Sequence, residues 1–267
     1  MSDTAPVRAW TRRLLPIAAL VFAAAPAVCL DARAQDLSTF LSHPPAPGAW
    51  AHYVVETRNP AAPGTPKVEP FDLAVTGAQP LEGEDHIWLE ASPMDLAKDR
   101  DGTLRLLLKA APSRDEALNP FRQTRGAWYR PKSGDPYALT SSAVTFLRNQ
   151  FKDVKVTQER TELPAEEQTV PAGPTYRCTK VHLVTRIAGE VFFQRRTVVE
   201  EGTYWFSADT PFLIVRAEIR RTETRGSDPP RVRDVSVSLR AGAFAQASSA
   251  FPTPPTRTRG LFSLLLH

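Results

Sequence analysis

The sequence predicts a mainly β protein: a single curved antiparallel sheet, a half-barrel, with one covering helix. From Trp50 to Leu239, short runs rich in Val, Ile, Thr and aromatic residues recur, and Gly, Pro or Asp closes each run. Several runs alternate apolar and polar residues, which is typical of a sheet with one buried face. The segment from Thr140 to Phe151 has helical spacing instead, so one helix is expected beside the sheet.

The first 34 residues have the pattern of a cleaved signal peptide. Three arginines precede an apolar run from Leu14 to Leu30, and Ala32 and Ala34 provide the small residues that a signal peptidase reads. The run has 17 residues and contains two prolines, whereas a membrane span needs about 20 apolar residues. We therefore expect cleavage after Ala34, no transmembrane span in the mature chain, and a periplasmic or secreted protein.

Cysteine usage indicates a fold that depends on its core alone. Of the two cysteines, Cys29 lies in the predicted signal peptide and Cys178 remains. A single cysteine cannot form an intramolecular disulfide even in a compartment that permits one. We expect Cys178 to be a small buried side chain in a strand.

The predicted strands follow the apolar runs along the chain. Leu213, Val215, Ala217 and Ile219 share one face of their run, with charged residues opposite. The predicted strands are Ala49–Thr57, Phe71–Thr76, His86–Ala91, Thr103–Lys109, Gly126–Arg130, Val154–Arg160, Tyr176–Ile187, Glu190–Glu200, Thr203–Ser207, Phe212–Thr222 and Arg231–Arg240.

Glycine and capping residues mark the connections between these elements. A turn is predicted over residues 187–190, where Gly189 separates two long runs. Ser141 or Ser142 is expected to cap the helix, whose apolar face includes Ala143 and Phe146.

Proline-rich segments divide the chain into predicted regions. Residues 35–47 form an N-terminal linker, residues 48–245 the β-rich half-barrel domain, and residues 246–267 a flexible C-terminal tail. The segments Asn59–Pro70 and Ser248–Gly260 are expected to lack regular structure, because they bury too little apolar surface to offset the entropy of ordering.

Composition and motifs argue against nucleic-acid binding and against catalysis. The formal net charge is only +4, from 33 basic and 29 acidic residues, whereas nucleic-acid binders concentrate Lys and Arg on one face. The five histidines occur singly, and the sequence contains no motif for a metal, a phosphate loop or a nucleophile. Adjacent carboxylates such as Glu200 and Glu201 point to opposite faces of a strand and cannot form a dyad. We predict no enzymatic activity and no cofactor or metal.

Two features are candidates for binding. The basic pairs Arg195-Arg196 and Arg220-Arg221 predict cross-strand ion pairs on a solvated face, with a patch for anionic lipid or polysaccharide as the alternative. Aromatic side chains in strands and on the helix either pack in the core or line an apolar cleft between sheet and helix. The candidate ligand-binding residues are Trp50, Tyr53, Trp88, Trp128, Phe146 and Trp205.

Three motifs resemble a known pattern. Val170-Pro171-Ala172-Gly173, then Tyr204-Trp205-Phe206-Ser207, then the strand from Pro211 through Ile214-Val215-Arg216 resemble uncharacterised exported bacterial proteins. Those proteins are similar in layout to the periplasmic lipoprotein carriers of the LolA/LolB type, in which a curved sheet with helical lids holds acyl chains.

The resemblance implies an exported protein that binds a hydrophobic ligand, a lipid or the acyl chain of a lipoprotein, in a half-barrel groove. The alternative is a structural or interaction protein of the cell envelope that binds protein or glycan through its sheet.

Overall fold

A computed structural model describes residues 45–62, 64–96, 99–111, 113, 120–151, 153–171, 173–191 and 194–260. The predicted signal peptide, most of the predicted linker and the last seven residues of the predicted tail lie outside the described residues.

The described residues form one sheet of twelve strands and one α-helix. The helix α1 spans Ser141–Phe151, and a short 3-10 helix spans Pro120–Gln123. The strands are β1 Trp50–Arg58, β2 Lys67–Leu81, β3 Glu84–Leu96, β4 Asp99–Lys109, β5 Gly126–Arg130, β6 Tyr137–Leu139, β7 Lys155–Thr169, β8 Thr175–Val191, β9 Gln194–Phe206, β10 Ile214–Arg225, β11 Arg231–Ala243 and β12 Arg257–Arg259.

The sheet consists of two consecutive antiparallel runs that join side by side. Its order is β12-β6-β5-β4-β3-β2-β1-β11-β10-β9-β8-β7. The pairing of β1 with β11 brings the start of the predicted domain to its end, and all pairs are antiparallel except β12 with β6. The predicted antiparallel sheet is therefore confirmed.

The sheet is open and curved, and α1 bridges strands near its two ends. The helix contacts β5 and β6 near one end and β8 near the other, and its Ala143 and Val144 belong to the same buried core as the strands. A flat sheet could not present such distant strands to one short helix, so the sheet curls around its core. The predicted half-barrel with one covering helix is confirmed, although Thr140, not a serine, accepts the capping bond from the Ala143 N–H at 3.4 Å.

Residues paired directly across antiparallel strands share a face, which assigns every strand two sides. We call the concave side, which carries core residues such as Tyr53, Leu106, Tyr129, Val181 and Ile219, the inner face. The outer face is the opposite side.

Several sequence-predicted boundaries are wrong. The strands predicted over Glu190–Glu200 and Thr203–Ser207 are one strand, β9, and β2 begins at Lys67, inside the loop predicted over Asn59–Pro70. The turn predicted over residues 187–190 lies further on, because β8 and β9 stay paired as far as Val191 and Gln194. Gly189 is instead a strand residue at a close approach, since a Cβ there would lie 2.9 Å from Val154. Strand β7 continues past its predicted end at Arg160 and through Pro164, which an edge strand tolerates because it has no ladder partner on one side.

Within the segment predicted to lack regular structure, Ser248–Gly260, only the three residues of β12 are regular, but residues 249–251 are held against the outer face. Strand β12 extends the sheet beside β6, and the Ser249 hydroxyl and the Ala250 N–H donate to the Glu90 carboxylate. Proline content concealed this arrangement, because the segment is held by side chains of distant strands and not by its own periodicity.

Gly202 provides a test of strand packing. The backbone of β9 approaches β10 so closely that a Cβ at Gly202 would overlap the Glu218 carbonyl oxygen and lie 2.8 Å from the Ile219 Cα. Gly202→Ala should lower the free energy of unfolding by about 1–3 kcal/mol, because backbone atoms cannot move aside cheaply. Chemical denaturation measures this. Gly77→Ala is the matched control, since its Cβ would lie 3.7 Å from Trp88; equal losses in both variants would contradict the argument.

Candidate functional site

A line of polar residues crosses four adjacent strands on the inner face. Thr185 on β8, Glu200 on β9, Arg221 on β10 and Arg233 on β11 are paired in succession. Because directly paired residues share a face, all four side chains belong to the same side of the sheet as the apolar core.

We call the set Arg196, Glu200, Arg221, Glu223, Arg225 and Arg233 the arginine cluster. Arg221 Nη1 donates to Glu200 Oε1 at 3.1 Å, and Arg225 Nε donates to Glu223 Oε1 at 2.5 Å. Arg196 Nη1 lies 3.7 Å from the same Glu223 oxygen. One carboxylate therefore serves two guanidinium groups, and the two carboxylates together face four.

The arginine cluster is buried to an unusual degree for charged residues. Arg196, Glu200 and Arg221 are 3%, 3% and 6% exposed, whereas charged residues are seldom fully buried without partners. Burial raises the pKa of Glu200 to about 7, and Arg221 only partly offsets this. Burial and, to a smaller extent, the nearby Arg225 lower the pKa of Arg196 to about 10, although Glu223 partly offsets them.

A second polar group on the inner face lies one strand further out. Arg160 on β7 is paired with Leu183 and lies 3.1 Å from Glu162 on its own strand. The Glu162 contact is made by Nη2, whereas the buried Nε atom makes no hydrogen bond to the described residues. The inner face thus carries more guanidinium donors than the described acceptors satisfy.

An apolar strip adjoins the arginine cluster. Thr57 and Val235 face each other on β1 and β11, and Val55 lies two residues before Thr57 on the same face. All three are half-buried while most inner-face neighbours are fully buried. We call Val55, Thr57 and Val235 the groove strip. Since Arg233 lies two residues from Val235, the groove strip leads directly into the arginine cluster.

The six sequence-predicted site residues do not gather in one place. Tyr53 lies on the inner face, where its hydroxyl is buried without a hydrogen bond to the described residues, and Phe146 packs against the core from α1. The four tryptophans lie on the outer face, as their pairing shows: Trp50, Trp88, Trp128 and Trp205.

Sequence reasoning missed the arginine cluster. It predicted cross-strand ion pairs, which form at Arg220, Arg196 and Arg221. The predicted solvated setting holds for Arg220 but is wrong for the buried Arg196 and Arg221. The available signal was the alternation of side chains along β10. Arg221 points to the same face as the apolar Ala217 and Ile219, while Arg220 points to the same face as Glu218.

Two tryptophans and an arginine form a tight group on the outer face. The Arg105 guanidinium lies 4.7 Å from the ring centre of Trp88 and 4.6 Å from that of Trp128. Arg105 also approaches Glu90 at 3.5 Å and donates to the Phe251 carbonyl at 3.4 Å. This group holds residues 249–251 on the sheet.

A pocket of about 540 Å³ lies on the outer face, between β1 to β4 and residues 246–250. Its polar lining includes Glu90, Thr103 and the bonded pair His52 and Asp72, and Trp50 forms part of its wall. No group of three or more His, Cys, Asp or Glu side chains in the described part of the chain could hold a metal ion.

Trp205 and Cys178 occupy another part of the outer face. Trp205 Nε1 donates to Glu166 at 3.1 Å, and Lys180 and Arg216 lie over its ring. Cys178 is 1% exposed, which confirms the predicted buried strand position, and burial raises the pKa of its thiol to about 11. Such a thiol stays protonated and unreactive near neutral pH.

No protein-family model and no curated protein matches this chain. Among solved structures, the chain is similar to a proposed lipoprotein from Parabacteroides distasonis, with a TM-score of 0.35 and 13% identity, covering 76% of this chain and 98% of that one. It is also similar to a proposed exported protein with a YmcC-like fold from Bacteroides fragilis, with a TM-score of 0.34 and 13% identity over 75% and 98% of the two chains.

A third similar structure is a LolA superfamily protein from Nitrosomonas europaea, with a TM-score of 0.25 and 10% identity over 84% and 92% of the two chains. Likenesses this distant carry no conclusion about what the present chain does. No helix among the described residues is long and apolar enough to cross a bilayer.

The link between Glu90 and residues 249–251 can be tested directly. Glu90→Gln should speed hydrogen exchange at the Ala250 amide, because the bonded carboxylate is worth about 2 kcal/mol at such a site. Hydrogen exchange read by mass spectrometry measures this. Glu84→Gln, on the same strand and paired with Lys109 at the surface, should leave the exchange unchanged; an unchanged Glu90 variant would contradict the assigned role.

Glu200 predicts a specific dependence of stability on pH. Burial raises its folded pKa from the ordinary value of 4.5 to about 7, so between these two pH values the folded state retains a proton that the unfolded chain has released. Stability therefore falls as pH rises through this window, by about 3 kcal/mol from this group. Glu200→Gln should flatten that part of the stability profile measured by denaturation. Glu201→Gln, exposed on the opposite face, should retain it.

Proposed function

We propose that this is an exported protein that binds a hydrophobic ligand, a lipid or the acyl chain of a lipoprotein, on the inner face of its half-barrel. The proposal rests chiefly on the groove strip: two half-buried valines, Val55 and Val235, that pack at the margin of the core beside Thr57 on the concave side of an open sheet. A single-layer sheet without a facing sheet leaves room for an apolar guest where its own core residues do not fill the curl.

Two further observations support the proposal. The predicted signal peptide would direct the chain out of the cytoplasm. Lipids and lipoproteins that leave a membrane need a carrier in the aqueous compartment outside it. The Tyr53 hydroxyl is buried on the inner face without a described hydrogen-bond partner; a buried polar group in that state is destabilising by about 1–3 kcal/mol unless a ligand or water satisfies it.

Mass spectrometry should detect a bound lipid whatever its chemical identity. The mature chain, residues 35–267, is purified from a periplasmic extract without detergent, and native mass spectrometry is combined with organic extraction. A co-purifying lipid mass at substantial occupancy is expected. A clean ligand-free mass, together with no binding of apolar probes, would contradict the proposal and favour the outer-face pocket as a site for protein or glycan of the envelope.

The groove strip itself is tested with a pair of neighbouring variants. Val55→Asn places an amide on the inner face and should weaken binding of the fluorescent probe phenylnaphthylamine about tenfold, since a desolvated amide without a partner disfavours an apolar guest. Val54→Asn is the matched control, because Val54 is also half-buried but points to the outer face. Equal effects of the two substitutions on probe affinity would show that the inner face is not the binding surface.

A further inference from the structure

We propose that the ligand is an amphiphile with an anionic phosphate headgroup, and that the arginine cluster holds that headgroup while the groove strip holds the chain. This inference rests on the proposed function and specifies its ligand class.

The charge of the arginine cluster favours an anion. Its described members are four arginines and two glutamates, and both carboxylates already accept from guanidinium groups of the same cluster. An excess of positive charge in a largely buried place is unfavourable unless an anion or water balances it. A bound anion would therefore be attracted by Arg225 and Arg233, whose positive charges already act on the neighbouring buried arginines.

The position of the arginine cluster indicates an amphiphile and not a small anion. Arg233 is half-buried, whereas Arg221, directly across from it on β10, is buried. Arg233 also lies two residues from Val235, about 7 Å along the same face. A ligand that reaches Arg221 past Arg233 thus lies against the apolar groove strip at its other end.

The donor chemistry suits phosphate in particular. Arginine presents a planar fork of N–H donors that matches two oxygens of a phosphate, and it keeps its charge when buried. Arg160, whose Nη2 is paired with Glu162 but whose Nε makes no hydrogen bond to the described residues, lies on the same face. Several guanidinium groups around one site favour a ligand group with three or more acceptor oxygens over a neutral hydroxyl.

Two lipids that differ only in the headgroup phosphate test the assignment. Oleoyl lysophosphatidate should bind the mature wild-type protein at least tenfold more tightly than monoolein, measured by displacement of phenylnaphthylamine below the critical micelle concentrations. Glycerol phosphate, which has the headgroup without the chain, should displace the probe poorly.

Substitutions at the half-buried Arg233 locate the effect without removing a buried charge. Arg233→Gln should reduce the preference for lysophosphatidate about tenfold and leave monoolein affinity unchanged, and Arg233→Lys should restore part of the preference. Arg220→Gln removes an arginine from the outer face of the neighbouring strand and should change neither affinity. Circular dichroism and thermal melts confirm that each variant is folded.

The outcomes separate the two proposals. Equal affinity for the two lipids, or a preference that Arg233→Gln leaves intact, would overturn the headgroup assignment while the proposed function stands. Binding of glycerol phosphate as tight as that of lysophosphatidate would overturn it in favour of a soluble phosphate compound. Failure of both lipids to displace the probe, or of the probe to bind, would overturn the proposed function and this inference together.

Discussion

The architecture depends on one constraint: a single sheet must bury one of its own faces. A sheet with an apolar face usually packs against a second layer, but here the described residues supply only one helix for that purpose. The twist of the twelve-stranded sheet provides the remaining cover for the apolar face, because it brings distant strands toward the same helix. Curvature, the position of α1 and the existence of a concave face are consequences of this one requirement.

The same constraint explains why the protein has charged residues in its interior. The single short helix covers only part of the inner face, and β9 to β11 carry the arginine cluster on that face. A buried ion network is a poor source of stability compared with well-packed apolar residues. The proposed recognition of an anionic headgroup would account for its presence.

The sequence predicted the fold well, whereas its six candidate site residues do not gather in one place. Period-two alternation in segments such as Phe212–Thr222 identifies strands regardless of what surrounds them, and the helical spacing from Thr140 to Phe151 is equally local. Aromatic residues such as Trp88 and Trp205 are apolar on either face of a strand, so their residue type does not reveal that both lie on the outer face.

The C-terminal residues illustrate the other limit of sequence reasoning. Residues 249–251 owe their order to Glu90 and Arg105, which lie more than a hundred positions earlier in the chain. Composition alone reports the high proline content of such a segment and not the partners that hold it. Long-range polar contacts of this kind require the folded arrangement of β3 and β4.

Strand β7 bears on how the molecule resists aggregation. It is 15 residues long and stands at the edge of the sheet, where no described strand pairs with its outer side; an edge of this kind promotes aggregation. Its sequence contains four glutamates against one lysine and one arginine, together with Pro164 and a bulge between Leu163 and Glu166. Two copies that tried to join through this edge would bring like charges together across an interrupted ladder. The long free edge is thus protected against assembly into fibrils by its own residues.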